Sequence, residues 1–282
     1  LGRARWEAAG SVVEVTHTGK IDPSGVLVEL VYDPARLGKD QVASAYLYSS
    51  RKKRWVYIGG EMGVISRTVS FTLPRPGKFS VLARPLVPVF TDMSDHWAEP
   101  AVRRLAGDAV VTGYPDGSFR PEKEMTRAEM VLLLTRLLDL APPAGYEPGF
   151  KDAADIQVWA REAVAAAAWA GLIKGYPEPD GGFTFQPASP VTRAEVVELA
   201  ARAMVWELGQ EAGVSAGAGA AELAAIRLAD IDEVPAWNRE ALGIAVARGV
   251  VEGYPDGTFR PARRVTRAEG AKVILRLLDT LY

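Results

Sequence analysis

Three arginines occupy the same place in three copies of one short motif, Thr-Arg-Ala-Glu: Arg127, Arg193 and Arg267. In each copy the Thr suits a helix N-cap, and the Glu three positions later can bond back to the cap, which is a capping box. An arginine in the first helical turn opposes the helix dipole by roughly 0.3–1 kcal/mol. The same unfavourable choice in all three copies indicates that the arginine has an anionic partner.

Two anionic partners are open at this point. One is a bound ligand, because an arginine beside the helix N–H groups that a capping box leaves free would form an anion site. The other is a carboxylate of the chain, such as the Asp near the start of each copy, and the two can alternate. These aspartates are Asp92, Asp152 and Asp230. If the Thr is structural and the arginine is not, Thr266→Ala should cost about 1 kcal/mol of stability and Arg267→Ala little by comparison.

Each copy also carries a tryptophan at a helix start: Trp97, Trp159 and Trp237. Such a tryptophan either anchors a core or offers its indole to a carbohydrate ring. Sixteen positions after each tryptophan comes a turn glycine, namely Gly113, Gly175 or Gly253. The constant separation predicts a helix of fixed length that ends at a glycine C-cap.

The chain has few residues that could support catalysis, disulfides or metal binding. The chain has no cysteine, which excludes disulfides and thiol catalysis, and its two histidines, His17 and His96, lie far apart in sequence. The recurring acidic residues are explained by caps and turns, so no paired carboxylates for hydrolysis are predicted. The Pro-Asp-Gly loops superficially resemble calcium loops, but Pro115 and Pro255 break the alternating ligand pattern. We therefore predict a protein that is not an enzyme, with no catalytic residue, metal site or cofactor.

Composition and charge bound the class of protein. The chain has 282 residues, of which 48% are hydrophobic and 24% charged, as in a soluble globular protein. No apolar run approaches the roughly 20 residues that span a bilayer. The N-terminus lacks a start Met and a signal peptide, so we expect a mature protein or a fragment. Residues 1–90 hold 13 basic and 7 acidic residues, while the whole chain has a net charge of −2. The acidic remainder argues against nucleic acid as a partner.

The hydrophobic period changes along the chain. Residues 11–84 contain six short alternating or β-branched segments between Gly, Pro and Asp turns, which predicts a small β-sandwich. Within it, the basic run at 51–54 fits a solvated hairpin turn or a patch for a polyanion. From Phe90 onward, apolar residues follow helical spacing in six segments, two in each copy. This part is an internal repeat, in which four extra residues of the second copy are expected in an exposed loop.

Taken in order, Phe/Leu-x-Asp, Trp, Gly-Tyr-Pro and Thr-Arg-Ala-Glu make residues 89–282 resemble S-layer homology (SLH) domains. The resemblance implies a multidomain chain, with an N-terminal all-β sandwich and an all-α pseudo-trimer of three helix-loop-helix repeats. It also implies a central bundle with one helix from each repeat, and ligand grooves between three prongs. The β-region is similar to β-sandwich modules that often precede SLH repeats. The implied domains are 1–88, 89–144, 145–206, a linker at 207–227, and 228–282.

The resemblance implies a function in the cell wall. Family members anchor exported proteins non-covalently to a secondary cell-wall polymer whose terminal N-acetylmannosamine carries a pyruvyl ketal, and surface layers of such proteins self-associate. Extracellular localisation at the cell surface is therefore expected. The family's binding positions fall here on Asp92, Trp97, Gly113, Arg127, Asp152, Trp159, Gly175, Arg193, Asp230, Trp237, Gly253 and Arg267.

Departures from the pattern and other functions stay open at this point. Gln186 stands where the other copies have Arg120 and Arg260, and the third copy opens with Leu228 in place of Phe. These differences predict grooves that are not fully equivalent. The chain could instead be the anchor segment of a surface polysaccharide-degrading enzyme whose catalytic part lies outside it. It could also tether an outer membrane to peptidoglycan.

Overall fold

The computed structural model describes residues 7–16, 25–50, 53–73, 75–209, 223 and 227–281. His17, half of the basic run at 51–54 and most of the expected linker at 207–227 lie outside the described residues. The chain divides into two compact units. The first holds residues up to Val89 together with 103–108, and the second holds 90–102 and 109–281. The expected boundary after residue 88 falls beside this division.

The first unit contains two antiparallel sheets. The strands of the larger sheet are β1 (Glu7–Ala8), β2 (Val13–Val15), β4 (Gln41–Ser49), β5 (Arg54–Gly59) and β8 (Gly77–Pro85). In this sheet β8 pairs with β1, β2 and β4, and β4 pairs with β5. The smaller sheet consists of β3 (Leu27–Val31), β6 (Glu61–Gly63) and β7 (Thr68–Thr72), and β7 is its middle strand.

The two sheets share one hydrophobic core. Leu47 and Phe79 from the larger sheet are buried together with Val69 and Phe71 from the smaller one. The rings of Phe71 and Phe79 lie 5.3 Å apart between centroids. All six segments with strand-like patterns contain strands. Burial alternates along β7, whereas β4 and β8 are buried at consecutive residues. The two additional strands, β1 and β6, are too short to show a period.

The second unit is mainly helical. The described α-helices of the repeats are α1 (Glu99–Gly107), α2 (Arg127–Leu138), α3 (Val158–Trp169), α4 (Arg193–Leu208), α5 (Arg239–Ala247) and α6 (Arg267–Leu281). Residues 103–107 of α1 are counted with the first unit. The extra residues of the second copy form a hairpin of β9 (Tyr176–Pro177) and β10 (Phe183–Thr184). Its tip is exposed as predicted, but the hairpin means that the repeat region is not purely helical.

Helices pair across the boundaries between copies. The three helices that begin with the Thr-Arg-Ala-Glu motif, α2, α4 and α6, contact one another. Helix α3 of the second copy packs on α2 of the first, and α5 of the third packs on α4 of the second. The helix-loop-helix segment of one copy is therefore not the packing unit, because the first helices of the second and third copies each cover a helix of the preceding copy.

Backbone hydrogen bonds join the three copies in a closed triangle just before these helices. The Met125 N–H donates to the Val265 carbonyl at 2.9 Å, the Val265 N–H to the Val191 carbonyl at 3.1 Å, and the Val191 N–H to the Met125 carbonyl at 2.9 Å. All three side chains are buried. The triangle makes each copy a hydrogen-bond donor to one neighbour and an acceptor from the other.

The capping boxes form as predicted. In α2, Thr126 Oγ1 accepts from the Glu129 N–H at 3.2 Å, and Glu129 Oε2 accepts from the Thr126 N–H at 2.8 Å. Equivalent hydrogen bonds form the capping boxes at the N-termini of α4 and α6.

The expected free helix N–H groups are a wrong prediction. The Arg127 and Ala128 N–H groups donate to the carbonyls of Ser189 and Pro187 in the next copy, at 2.9 and 3.1 Å. The corresponding groups of α4 and α6 donate to carbonyls of the third and first copies. Because these donors are already used, an anion has to be held by side chains.

The predicted glycine C-caps are also wrong. Helices α1, α3 and α5 end six residues before Gly113, Gly175 and Gly253. After α3 and α5 the chain reverses at residues in the left-handed region, Gly171 (φ 71°) and Gly249 (φ 68°). The constant separation therefore covers a helix, its reversal and a short buried segment, and the helices themselves differ in length.

Candidate functional site

A groove of about 510 Å³ opens along α2. Its walls bring together Gly113 from the first copy, Trp159 from the second and Arg267 from the third. These three expected binding residues are distant in sequence but share one groove because helices and turns pack across copies. We call this the first groove.

Arg267 lies at the wall of the first groove and is only 7% exposed. Its Nε donates to the Phe119 carbonyl at 2.8 Å, and its Nη1 donates to Glu129 Oε1 at 3.1 Å. The guanidinium lies 4.8 Å from the centre of the Tyr114 ring, within cation–π range. Its Nη2 has no hydrogen-bond partner among the described residues, so the two N–H groups of this nitrogen are left for a ligand.

Arg127 has an equivalent environment in the turn of the second copy. Its guanidinium lies 4.6 Å from the Tyr176 ring centre, and its Nη1 donates to the Tyr176 hydroxyl at 3.2 Å. Glu195 is 3.7 Å from Nη1, and the buried Nε has no partner. The Tyr176 hydroxyl donates to Glu195, and burial together with this bond raises the pKa of Tyr176 to about 12.

Arg193 completes the cycle by reaching into the turn of the third copy. Its guanidinium lies 4.7 Å from the Tyr254 ring centre and 5.1 Å from that of Phe259. It donates from Nη2 to the Glu252 carbonyl, and its buried Nε has no partner. Sequence reasoning missed these tyrosines as site residues. Their presence directly after the turn glycine in every copy was the available signal.

The aspartates near the start of each copy hold the turns and do not pair with these arginines. Asp152 accepts from the Phe185 and Gln186 N–H groups, both at 2.7 Å. Asp92 and Asp230 accept from the equivalent N–H pairs at 2.6–2.7 Å. Two of the arginines instead face the capping-box Glu of the neighbouring copy. The Arg–Asp contact, one of the two alternatives left open by the sequence, is therefore not formed, and the aspartates bind the backbone instead.

The three motif tryptophans are exposed to solvent. Trp97, Trp159 and Trp237 are 54%, 48% and 56% exposed. An anchor of the core would be buried, so that interpretation is wrong for all three. The Trp97 ring lies 5.5 Å from Lys272 Nζ on α6, as Trp159 lies beside α2. Exposed indoles beside a basic groove fit the alternative of a platform for sugar rings.

The turn glycines are required by close packing. A Cβ at Gly113 would lie 2.5 Å from the Phe90 ring and 2.7 Å from the Ser118 carbonyl oxygen. At Gly175, where φ is +79°, it would lie 2.7 Å from Phe150. At Gly253 the neighbouring side chain is Leu228, which replaces the Phe of the other copies. The glycines therefore shape the site through the backbone.

Glu129 links the capping box to the site. Burial would raise the pKa of Glu129, but hydrogen bonds from the Thr126 N–H and the Tyr114 hydroxyl, with the nearby charges of Arg267 and Lys123, hold it below its usual value. This carboxylate is therefore ionised at neutral pH. It neutralises part of the charge of Arg267.

The described residues hold no sign of a membrane span or metal centre. None of their helices combines the length and hydropathy that a bilayer crossing requires. None of their His, Asp and Glu side chains group in threes that could hold a metal ion. The site thus consists of arginines, tyrosines, tryptophans and paired carboxylates.

Comparison with known proteins assigns the repeats. The S-layer homology domain matches residues 89–131, 149–197 and 227–271. The chain is 35% identical over 59% of its length to a cellulosome-anchoring protein of Acetivibrio thermocellus, covering 35% of that protein. It is 30% identical over 66% of its length to S-layer protein EA1 of Bacillus anthracis, covering 16% of it.

One match extends through both units. An amylopullulanase of Thermoanaerobacterium thermosulfurigenes is 28% identical over 97% of this chain, which covers 14% of that enzyme. The chain thus spans no more than about a third of the length of these three relatives. The matched segments coincide with the three copies whose helices, turns and arginines interlock. The chain therefore contains three S-layer homology domains, one in each of its helical repeats.

Proposed function

We propose that this chain anchors a protein non-covalently to the bacterial cell wall, by binding an anionic, pyruvylated cell-wall polysaccharide in the grooves of one pseudo-threefold SLH unit. The SLH domains locate the chain at the cell surface. The wall polymer is thus its partner, and the unit itself carries out no catalysis.

One observation carries this proposal: Arg267 presents an unused donor in a groove that is also lined by the exposed Trp159. The guanidinium suits a carboxylate because its donors are arranged in a planar fork. The indole suits the apolar face of a pyranose. Together they select a sugar that bears a carboxylate close to its ring, which is the chemistry of a pyruvyl ketal.

Pairing within the protein tunes this site rather than blocking it. Glu129 keeps Arg267 in place and offsets part of its charge while the groove is empty. A ligand carboxylate can then use Nη2 of Arg267 and Lys123, both of which line the groove. Glu129 and the ligand carboxylate therefore both contact the guanidinium of Arg267.

A second candidate concerns the whole protein. The match to the amylopullulanase covers both units of this chain, and an exoglucanase of Acetivibrio thermocellus also matches, with 30% identity over 67% of it. We propose as the alternative that the chain is the anchor segment of a cell-surface polysaccharide-degrading enzyme. A catalytic domain elsewhere in the full-length protein would decide between the two.

Binding should depend on the charges of both partners. We expect Arg127→Ala, Arg193→Ala and Arg267→Ala together to weaken binding of a synthetic pyruvylated N-acetylmannosamine glycoside by at least about tenfold. A charge-assisted hydrogen bond contributes roughly 1.5–3 kcal/mol, and 1.4 kcal/mol is a tenfold change in affinity. Calorimetry would measure this, with the methyl ester of the same glycoside as the uncharged control.

Two results would contradict the proposal. The first is wild-type affinity in the triple variant, provided that its circular dichroism shows a folded unit. The second is equal affinity for the acid and its methyl ester. Either result would leave the arginines with a purely internal role.

A further inference from the structure

The three sets of groove residues are not electrically equivalent. The first groove contains Arg267, Tyr114 and Trp159. We define the second cluster by Arg127, Tyr176 and Trp237, along α4, and the third cluster by Arg193, Tyr254 and Trp97, along α6. The α4 helix lies beside the Trp237 segment, since the adjacent Asn238 donates from Nδ2 to the Ala194 carbonyl at 2.8 Å.

One position on the helices changes character between the sets. Six residues after the cap Thr come Leu132 on α2, Glu198 on α4 and Lys272 on α6. Leu132 lines the first groove. Glu198 is paired with Arg202 at 2.8 Å, whereas Lys272 lies over the exposed indole of Trp97. The third cluster therefore places a cation where the others have an apolar or an acidic side chain.

A second position is basic in the first and third sets, where Lys123 and Arg263 each contact the turn tyrosine and the capping-box Glu. Three residues before the cap Thr come Lys123, Ser189 and Arg263. Arg263 donates from Nη1 to the Tyr254 hydroxyl and to Glu269 Oε1, both at 2.6 Å. Arg263 thereby occupies the carboxylate that is equivalent to the partner of Arg267.

Arg193 differs from the other two motif arginines in its carboxylate contacts. Arg267 lies 3.1 Å from Glu129 and Arg127 lies 3.7 Å from Glu195, but among the described residues no carboxylate lies within 4 Å of Arg193. Its Nε is buried without a hydrogen-bond partner.

The surroundings of Arg193 add further positive charge. Burial lowers the pKa of Arg193, the nearby Tyr254 and Glu269 raise it in part, and the charges of Arg263 and Arg276 lower it further. Glu252 does not offset this, because its carboxylate pairs with Arg276 at 2.7 Å. The cations around this cluster are thus Arg193, Arg263, Lys272 and Arg276. The carboxylates of Glu252 and Glu269 are already paired with Arg276 and Arg263.

We infer that the third cluster is the principal site for the acidic sugar, with Arg193 holding the carboxylate and Lys272 setting the preference for anionic over neutral saccharides. This inference rests on the proposed function and deepens it. A partly buried cation that lacks a carboxylate partner gains more from a ligand carboxylate than one that is already paired. The first groove and the second cluster, with their arginines neutralised, bind the same sugar more weakly.

The tryptophans provide one reporter for each set. We would titrate the full chain with the pyruvylated glycoside and follow the indole N–H cross-peaks of Trp97, Trp159 and Trp237 by NMR, after assignment through Trp→Phe variants. We expect the Trp97 peak to saturate first, at a ligand concentration about tenfold lower than the others.

Two variants test the residues themselves. Arg193→Ala should abolish the early response of Trp97 and leave the responses of Trp159 and Trp237 in place. Lys272→Leu, which copies the first groove, should weaken the Trp97 response by about two- to fivefold and reduce its salt dependence. Leu132→Lys is the matched control and should strengthen the Trp159 response.

The outcomes separate this inference from the proposed function. Saturation of Trp159 or Trp237 before Trp97 would overturn the inference while supporting anionic-sugar binding. An unchanged Trp97 response in folded Arg193→Ala would also overturn it. If none of the three peaks moves, the proposed function fails as well.

Discussion

Arg267→Ala is expected to lower the free energy of unfolding by about 3–5 kcal/mol. Arg267 is 7% exposed and pairs with Glu129, whose side chain is only 12% exposed. Removing one partner of a buried ion pair costs about this much when the other charge is left uncompensated. Glu129 keeps a contact to the more exposed Lys123 at 3.2 Å, so we expect the lower end of this range. The change also removes the hydrogen bond to the Phe119 carbonyl. Urea unfolding with a constant m-value would measure the loss.

Two other substitutions calibrate that result. Thr266→Ala removes only a cap and should cost about 1 kcal/mol. Arg193→Ala should cost less than Arg267→Ala, because Arg193 has no carboxylate partner in the described structure. This order reverses the sequence-based expectation that the Thr matters more than the Arg. If Arg267→Ala proved no more harmful than Thr266→Ala, the ion pair would contribute nothing to folding.

Asp152→Ala is expected to cost roughly 2–4 kcal/mol of stability. Its two carboxylate oxygens accept from two consecutive N–H groups, at Phe185 and Gln186, and bonds to charged acceptors contribute roughly 1.5–3 kcal/mol each before solvent exposure reduces them. Gln186 also has a φ of 58°, a left-handed conformation that a non-glycine residue keeps only when its surroundings hold it.

The measurement combines unfolding with amide exchange at Phe185 and Gln186. Asp152→Asn is the matched control, since its amide oxygen can keep one of the two bonds, and it should cost about half as much. Unchanged stability together with lost glycoside binding would be the contrary outcome. It would return Asp152 to the ligand-contacting role that the family resemblance implies.

Local features of the site could be predicted from the sequence. The capping box depends on residues three positions apart, and the exposed loop of the second copy follows from four inserted residues. Even the departure at Gln186 leaves the turn intact, because its φ of 58° matches those of Arg120 and Arg260. Interactions within one turn or one helix end are fixed by spacing, so a single sequence specifies them.

The contacts between copies could not be predicted in the same way. Arg267 reaches a carboxylate 138 positions away in the sequence, and no pattern in the chain specifies that pairing. The hydrogen bonds of the first helix N–H groups could not be predicted for the same reason, since their acceptor carbonyls belong to another copy. The exposure of the tryptophans likewise follows from how α3 lies on α2. Such features depend on packing between copies that are individually similar in sequence.

The hydrogen-bond triangle has a consequence for biosynthesis. It joins Met125 to Val265, so it closes only after the third copy has been made. When the chain emerges from the ribosome or a translocation channel with its N-terminus first, the hydrogen bonds to the third copy are therefore missing until that copy has emerged. Contacts this distant in sequence also slow folding. We therefore expect the hydrogen-bond triangle to form only after Val265 has emerged.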